Sequence, residues 1–122
     1  MDINIRVGSV TIEAELNDTL TAHMIAEALP IKASFNTWGD EIYFPIPIQS
    51  ELDDSARDIV ELGDLGYWPP GQAFCIFYGL TPMSKPGEIR PASAVNIVGK
   101  VKGDPIRFKQ VMRQREVVLE AV

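Results

Sequence analysis

The residue types best suited to a binding site are aromatic side chains with one polar atom, accompanied by an acid and a base. Tyr and Trp combine an apolar ring with a hydrogen-bonding atom, so they suit pockets with apolar walls and a few directional polar groups. Aromatic residues are concentrated in residues 63–79, which contain five of them. We predict that the ligand-binding residues are Trp38, Glu41, Tyr43, Tyr67, Trp68, Phe77 and Arg90.

Glu41 is the acid of this set, and it lies two residues before Tyr43. Side chains alternate along a strand, so Glu41 and Tyr43 share one face. A carboxylate among aromatic rings needs a partner, and Arg90 could be that partner or could bind an anionic ligand. The alternative is that the aromatic residues only fill the protein interior and cover its mouth.

Other kinds of chemistry lack the residues they need. His23 is the single histidine and Cys75 the single cysteine, whereas zinc sites combine several such ligands. The acidic residues of 51–54 lack the spacing of a calcium loop, and Gly63-Asp64-Leu65-Gly66 lacks the phosphate-loop pattern. We therefore predict no metal, no cofactor and no catalytic residue, with Cys75 a small buried side chain.

The bulk composition limits the possible partners. The chain has 122 residues and a net charge of −6, which suits one domain spanning 1–122 and disfavours binding to phosphate backbones. No signal-peptide pattern or apolar stretch of membrane-spanning length is present. We predict a cytoplasmic protein that binds neither nucleic acid nor membrane, with a small molecule or short peptide as partner and an unknown oligomeric state.

The local patterns predict mostly short strands. Residues 3–7 and 10–16 alternate apolar and polar side chains around Gly8-Ser9, which predicts a hairpin with a type II′ turn that sets Val7 opposite Val10. Further predicted strands are 31–37, 41–48, 59–62, 64–68, 73–78, 95–101 and 116–121. Two prolines in 41–48 indicate that its second half leaves the sheet.

Two helices and one long loop complete the pattern. Apolar residues at helical spacing after Asn17-Asp18-Thr19 predict a helix that Pro30 ends. A second, short helix is predicted over residues 106–112. Residues 79–94 are predicted to form a long loop, and we expect this loop to act as a flap over the pocket. The fold predicted is all-β, a closed or nearly closed barrel of about eight strands with two short capping helices, and the aromatic residues converge at its mouth.

This order of elements resembles the cyclophilin fold, and more closely a small prokaryotic cyclophilin-like family of unknown function. The segments that carry the resemblance are residues 38–44, 63–71, 75–79 and 91–100. True prolyl isomerases of this fold use an arginine in a Phe-His-Arg setting on the strand after the first helix. Here that strand contains Lys32-Ala33-Ser34-Phe35-Asn36-Thr37, so the resemblance implies the fold and not the isomerase activity.

Three functions are compatible with this reading. The first is a module that binds a small molecule or short peptide in an aromatic-lined pocket, oriented by Glu41 and Arg90. The second is an atypical peptidyl-prolyl cis-trans isomerase in which Arg90 polarises the amide. The third is a structural or interaction module that pairs through exposed strand edges.

Overall fold

The computed structural model describes residues 1–111 and 113–122. Its first element is the predicted hairpin, formed by β1 (Asp2–Val7) and β2 (Val10–Leu16). Val7 pairs with Val10, so the predicted register is confirmed. Gly8 has φ of +59°, the positive value that a type II′ turn needs at its first position. One face of this hairpin is therefore entirely apolar, and it is buried except at Val10, which is half-buried.

The helix α1 (Leu20–Ala28) follows and packs against one face of the sheet. Thr19 caps it, since its hydroxyl accepts a hydrogen bond from the backbone N–H of Ala22 at 3.2 Å. Leu29 is already extended before Pro30, as steric conflict with a following proline ring requires. Ala22 and Ile25 are buried against the sheet, so the predicted amphipathic helix is confirmed. No helix in the described part of the chain is long and apolar enough to cross a membrane.

The remaining strands are short, and they differ from the prediction mainly over residues 31–37, 56–57 and 59–62. They are β3 (Ile31–Ser34), β4 (Asn36–Thr37), β5 (Glu41–Pro45), β6 (Ala56–Arg57), β7 (Asp64–Trp68), β8 (Ala73–Phe77), β9 (Val95–Val101) and β10 (Glu116–Ala121). Residues 31–37 form two strands, and residues 59–62 contribute only the bridge between Val60 and Ile89. The chain leaves the sheet after Pro45, as its prolines predicted.

The predicted all-β fold with two short helices is confirmed, but the closed barrel is not, because the strands form one sheet that does not close. Within the described residues the sheet has ten strands in the order β3-β10-β1-β2-β9-β7-β8-β5-β4, with β6 paired to β9. Its two end strands, β3 and β4, are consecutive in the chain and are separated only by Phe35. The Phe35 N–H donates to the carbonyl of Arg115 at 2.9 Å, and its ring is buried. This bond extends the β3–β10 pairing by one residue, after which residues 36–37 pair with β5, and β3 and β4 do not pair with each other.

The part of the sheet formed by β5, β7, β8 and β9 has a cluster of apolar side chains on each face. The main core lies on one face and includes Phe44 and Phe74, whose ring centroids are 5.4 Å apart. A smaller apolar cluster lies on the opposite face, comprising Val60, Ala73, Cys75, Phe77, Ile89 and Val95. Strand β8 is buried at all five positions and contributes to both, as its continuous apolar sequence predicted.

The second predicted helix is a 3-10 segment, Pro105–Val111, and the predicted end at Met112 lies outside the described residues. Phe108 anchors this segment to the main core, since its ring centroid is 6.0 Å from that of Tyr78 and it is fully buried. The segment therefore covers the main core near β8. The opposite face of β8 contains the candidate site.

Candidate functional site

A pocket of about 270 Å³ lies on the face of the sheet opposite the main core. Strands β5, β7 and β8 form its floor, and a segment of the loop before β9 forms one wall. The lining residues are Trp38, Glu41, Tyr43, Trp68, Cys75, Pro91, Ala92 and Val95. The pocket is thus mostly apolar and aromatic, with a single carboxyl group.

The strand register explains why these side chains meet. Tyr43 is opposite Cys75 in the β5–β8 pair, and Cys75 is opposite Gly66 in the β7–β8 pair. Residues two apart on a strand share a face, so Glu41 and Trp68 project to the same side as Tyr43 and Cys75. The absence of a side chain at Gly66 matters here, since a Cβ would approach Cγ2 of Val95 to 3.0 Å. Glycine at this position allows Val95 to pack on the floor.

Trp38 reaches the pocket through a tight turn. The backbone of Trp38 exchanges two hydrogen bonds with Glu41, at 2.9 and 3.2 Å, and Gly39 in the turn has φ of +60°. A side chain at Gly39 would also come within 2.8 Å of the Leu80 carbonyl. The predicted turn is therefore present, and it holds Trp38 directly beside the start of β5.

Glu41 is the distinctive group of the site. The residue is only 6% exposed, and its Oε1 has no hydrogen-bond partner among the described residues. Burial raises the pKa of Glu41 to about 7, and a hydrogen bond with the Cys75 thiol offsets only part of that effect. Burial likewise raises the pKa of the Cys75 thiol, with the Glu41 carboxylate adding to the shift. Near neutral pH the site therefore contains a carboxyl that can gain or lose a proton.

Trp68 is held in place from two directions. Its indole Nε1 donates to Oγ of Ser93 at 2.6 Å, which ties β7 to the loop that contributes Pro91 and Ala92. Its ring also lies over Gly71, where an added Cβ would meet the ring at 2.8 Å. The Pro69–Gly71 3-10 turn therefore leaves room for the indole. The indole in turn holds the loop that contributes Pro91 and Ala92 in place through its bond to Ser93.

Residues 81–90 of the long loop are tied together at their base. Oγ of Ser84 accepts from the backbone N–H groups of Thr81 and Arg90, at 3.0 and 2.9 Å, and the Thr81 hydroxyl donates to the Arg90 carbonyl. The same loop is also attached to residues outside it, because the Val60 N–H donates to the Ile89 carbonyl at 2.9 Å. These bonds position the following residues, Pro91 and Ala92, at the pocket edge.

The structure brings together four of the residues predicted to bind a ligand, Trp38, Glu41, Tyr43 and Trp68. Tyr67 projects into the main core, where it is fully buried. Phe77 is fully buried within the smaller cluster. Arg90 donates to Glu88 at 3.0 Å and does not line the pocket.

The expected convergence of the aromatic rings at the mouth of a barrel is therefore corrected. Tyr67 and Trp68 are adjacent in sequence, and alternation along β7 sends their rings to opposite faces of the sheet. Trp38, Tyr43 and Trp68 meet on the outer face, whereas Tyr67 and Tyr78 lie in the main core. The rings are divided between two faces, and the pocket belongs to one of them.

The lining includes four residues that sequence reasoning did not assign to the site: Cys75, Pro91, Ala92 and Val95. Cross-strand pairing of residues 41–45 with 73–77 would have identified Cys75 as the neighbour of Tyr43. Pro91 and Ala92 carry no pattern of their own, because their position depends on tertiary hydrogen bonds. Among the described residues, no three His, Cys, Asp or Glu side chains converge in a group that could hold a metal ion.

The role of Tyr67 can be separated from that of the pocket by one substitution. Its hydroxyl donates to the Ile48 carbonyl at 2.7 Å and accepts from the Ser50 N–H at 3.2 Å. Tyr67→Phe leaves both groups without this partner, so we expect a loss of about 2 kcal/mol in the free energy of unfolding. Denaturant unfolding measures this loss. An unchanged stability would mean that the hydroxyl contributes nothing to the fold.

Comparison with known proteins shows the family to which the chain belongs. The model of the cyclophilin-like family matches residues 1–120, so the chain belongs to the cyclophilin-like family. A hypothetical protein from Archaeoglobus fulgidus, whose structure was solved in solution, is 43% identical with a TM-score of 0.81. The match covers 100% of this chain and 95% of the archaeal one. The resemblance inferred from the sequence is therefore confirmed, and the archaeal protein is itself described as hypothetical.

A second solved structure shares the fold at low sequence identity. McbB in complex with tryptophan is 17% identical with a TM-score of 0.71, over 98% of this chain and 46% of McbB. Identity at this level shows a common fold alone. A search of the curated proteins finds no match.

Proposed function

We propose that this protein binds a small, mainly apolar molecule in the pocket on the outer face of β5, β7 and β8, with Glu41 as the polar anchor. The observation that supports this most is the buried Oε1 of Glu41, which lacks a partner among the described residues. Burying a polar atom without a hydrogen bond is unfavourable. A ligand with one donor group would supply the missing bond.

The dimensions and charge of the pocket narrow the ligand. A volume of about 270 Å³ lies just below the usual range for ligand pockets, roughly 300–1,000 Å³. This size favours a small molecule over an extended peptide. No Lys, Arg or His is among the described lining residues, so an anionic ligand would face a carboxyl with no compensating cation.

The prolyl isomerase alternative receives less support. It depends on Arg90 to polarise a substrate amide, and Arg90 pairs with Glu88 and does not line the pocket. The pocket supplies a carboxyl instead of a cation. We therefore retain ligand binding as the function that the geometry favours.

A thermal-shift experiment with small aromatic compounds tests this proposal. McbB was solved with tryptophan, so the panel includes tryptophan beside indole, 2-phenylethanol and a short proline-containing peptide. A ligand at about 100 times its dissociation constant stabilises the native state by about 2.7 kcal/mol. We expect a rise in Tm of several degrees with at least one small compound and none with the peptide.

Ala92→Trp is the matched variant for this experiment. Ala92 is exposed at the pocket edge, so a large ring there should block the pocket with little change in the Tm of the free protein. A shift that persists in Ala92→Trp would place binding elsewhere. If no compound shifts the Tm of the wild-type protein, the pocket does not bind molecules of this kind.

A further inference from the structure

Resting on the proposed function, we propose that the ligand is a protonated primary or secondary amine attached to an apolar group, and that its binding releases one proton from Glu41. The site would then discriminate amines from alcohols and carboxylates of the same shape. Its affinity for the amine would also depend on pH.

The geometry of the anchor favours an ammonium group. Glu41 is 6% exposed with Oε1 unpartnered among the described residues, and the neighbouring Cys75 thiol is only a weak donor. An ammonium donates several hydrogen bonds, and a hydrogen bond between ions is roughly twice as strong as a neutral one. A buried carboxylate also becomes far less unfavourable when a cation pairs with it.

The aromatic walls of the pocket also favour a ligand with a positive charge. Trp38, Tyr43 and Trp68 line the same pocket as the Glu41 carboxyl, and the faces of aromatic rings attract cations, by about 2 kcal/mol or more where water is excluded. An apolar group on the same ligand would contact Val95, Pro91 and Ala92. One carboxyl set among three rings therefore matches a ligand with one positive end and one apolar end.

The proton balance is simple. Below neutral pH the free site holds Glu41 as the carboxylic acid and the ligand arrives as an ammonium ion. Pairing requires the carboxylate, so the O–H bond of Glu41 breaks and the proton passes to solvent, while the ammonium retains its own protons. The pKa of about 7 for free Glu41 means that this release is substantial at pH 6 and small at pH 8.

Few other groups compete for this titration. Tyr43 on β5 and Cys75 on β8 are the other titratable side chains in the described lining, and burial keeps the pKa of the thiol above its usual value. Asp40 pairs with Lys109 at 3.7 Å, and Glu88 pairs with Arg90. Glu41 is thus the group in this site that we expect to change its protonation between pH 6 and 8.

Three compounds of one shape test this inference by calorimetric titration: 2-phenylethylamine, 2-phenylethanol and 3-phenylpropanoate. At pH 8 we expect the amine to bind at least tenfold more tightly than the alcohol, and the carboxylate to bind most weakly. Below pH 7 the amine should lose close to tenfold in affinity per pH unit, since each binding event must remove a proton. The alcohol should be nearly insensitive to pH.

Titration of the wild-type protein in two buffers of different ionisation enthalpy counts the protons directly. We expect close to one proton released per amine bound at pH 6, a result that needs no variant to fold. Glu41→Gln should reduce amine affinity to that of the alcohol and remove its pH dependence.

The failures are distinguishable. Binding of the alcohol and amine with equal affinity would overturn the amine inference and leave the pocket as a binding site. An amine preference that survives in Glu41→Gln would likewise overturn it. If neither compound binds the wild-type protein, both the inference and the proposed function are contradicted.

Discussion

Glu41→Gln should abolish a loss of stability that the wild-type protein undergoes as the pH rises from 4.5 to 7. The pKa of Glu41 is raised from 4.5 to about 7 in the folded protein, so the unfolded chain ionises first. Folding then has to keep the carboxyl protonated or bury a charge, and stability falls until the pH passes the folded pKa. The difference of about 2.5 pKa units corresponds to about 3 kcal/mol.

The measurement is denaturant unfolding of both proteins at pH 5 and pH 8. We expect the wild-type protein to lose about 2.5 kcal/mol more than Glu41→Gln between these values, because the carboxyl of the unfolded chain is already largely ionised at pH 5. The comparison across pH cancels any fixed cost of placing an amide at this position. Glu27→Gln on the exposed surface of α1 is the control, because it removes the same charge without removing a buried carboxyl. If the stabilities of Glu41→Gln and Glu27→Gln show the same pH dependence, burial does not raise the pKa of Glu41 in the folded protein.

Trp68→Ala should cost the pocket most of its affinity for 2-phenylethylamine. The substitution removes one aromatic wall and the 2.6 Å hydrogen bond that holds Ser93, so the loop wall loses its attachment as well. Loss of an aromatic contact with a desolvated cation is worth about 2 kcal/mol, which corresponds to about 30-fold in the dissociation constant. We expect a weakening of at least this size.

Tyr67→Phe is the matched control for Trp68→Ala, since it changes the neighbouring residue on the opposite face of the same strand. It should lower the free energy of unfolding and leave the affinity for the amine unchanged. Ser93→Ala separates the two contributions of Trp68, because it removes the hydrogen bond and retains the ring. Equal affinity in Trp68→Ala and wild type would exclude Trp68 from the site.

Much of the fold is predictable because local patterns decide it. The β1–β2 register follows from a two-residue turn and strict alternation, and α1 follows from a capping threonine and a terminating proline. The error over residues 31–37 is different in kind. Residues 31–35 pair with β10 and residues 36–37 pair with β5, and no local pattern reports that change of partner. Barrel closure failed for the same reason, since it depends on which end strands pair.

The candidate site was only partly predictable, and alternation explains why. The spacing of Glu41 and Tyr43 placed both on one face, and the structure brings them into one pocket. The concentration of aromatic residues in 63–79 assigns both Tyr67 and Trp68 to the site, although adjacency on a strand sends them to opposite faces. Arg90 could not be placed from sequence, because its position depends on the hydrogen bonds that Ser84 makes within the loop.

The ionisation of Glu41 itself can be followed by NMR of its side-chain carboxyl carbon, with and without saturating 2-phenylethylamine. We expect the free protein to titrate near pH 7, and the bound amine to move the midpoint to lower pH as the carboxylate gains a cationic partner. A midpoint near 4.5 in the free protein, or one that the amine leaves unchanged, would contradict the assignment of Glu41 as the polar anchor of a binding pocket.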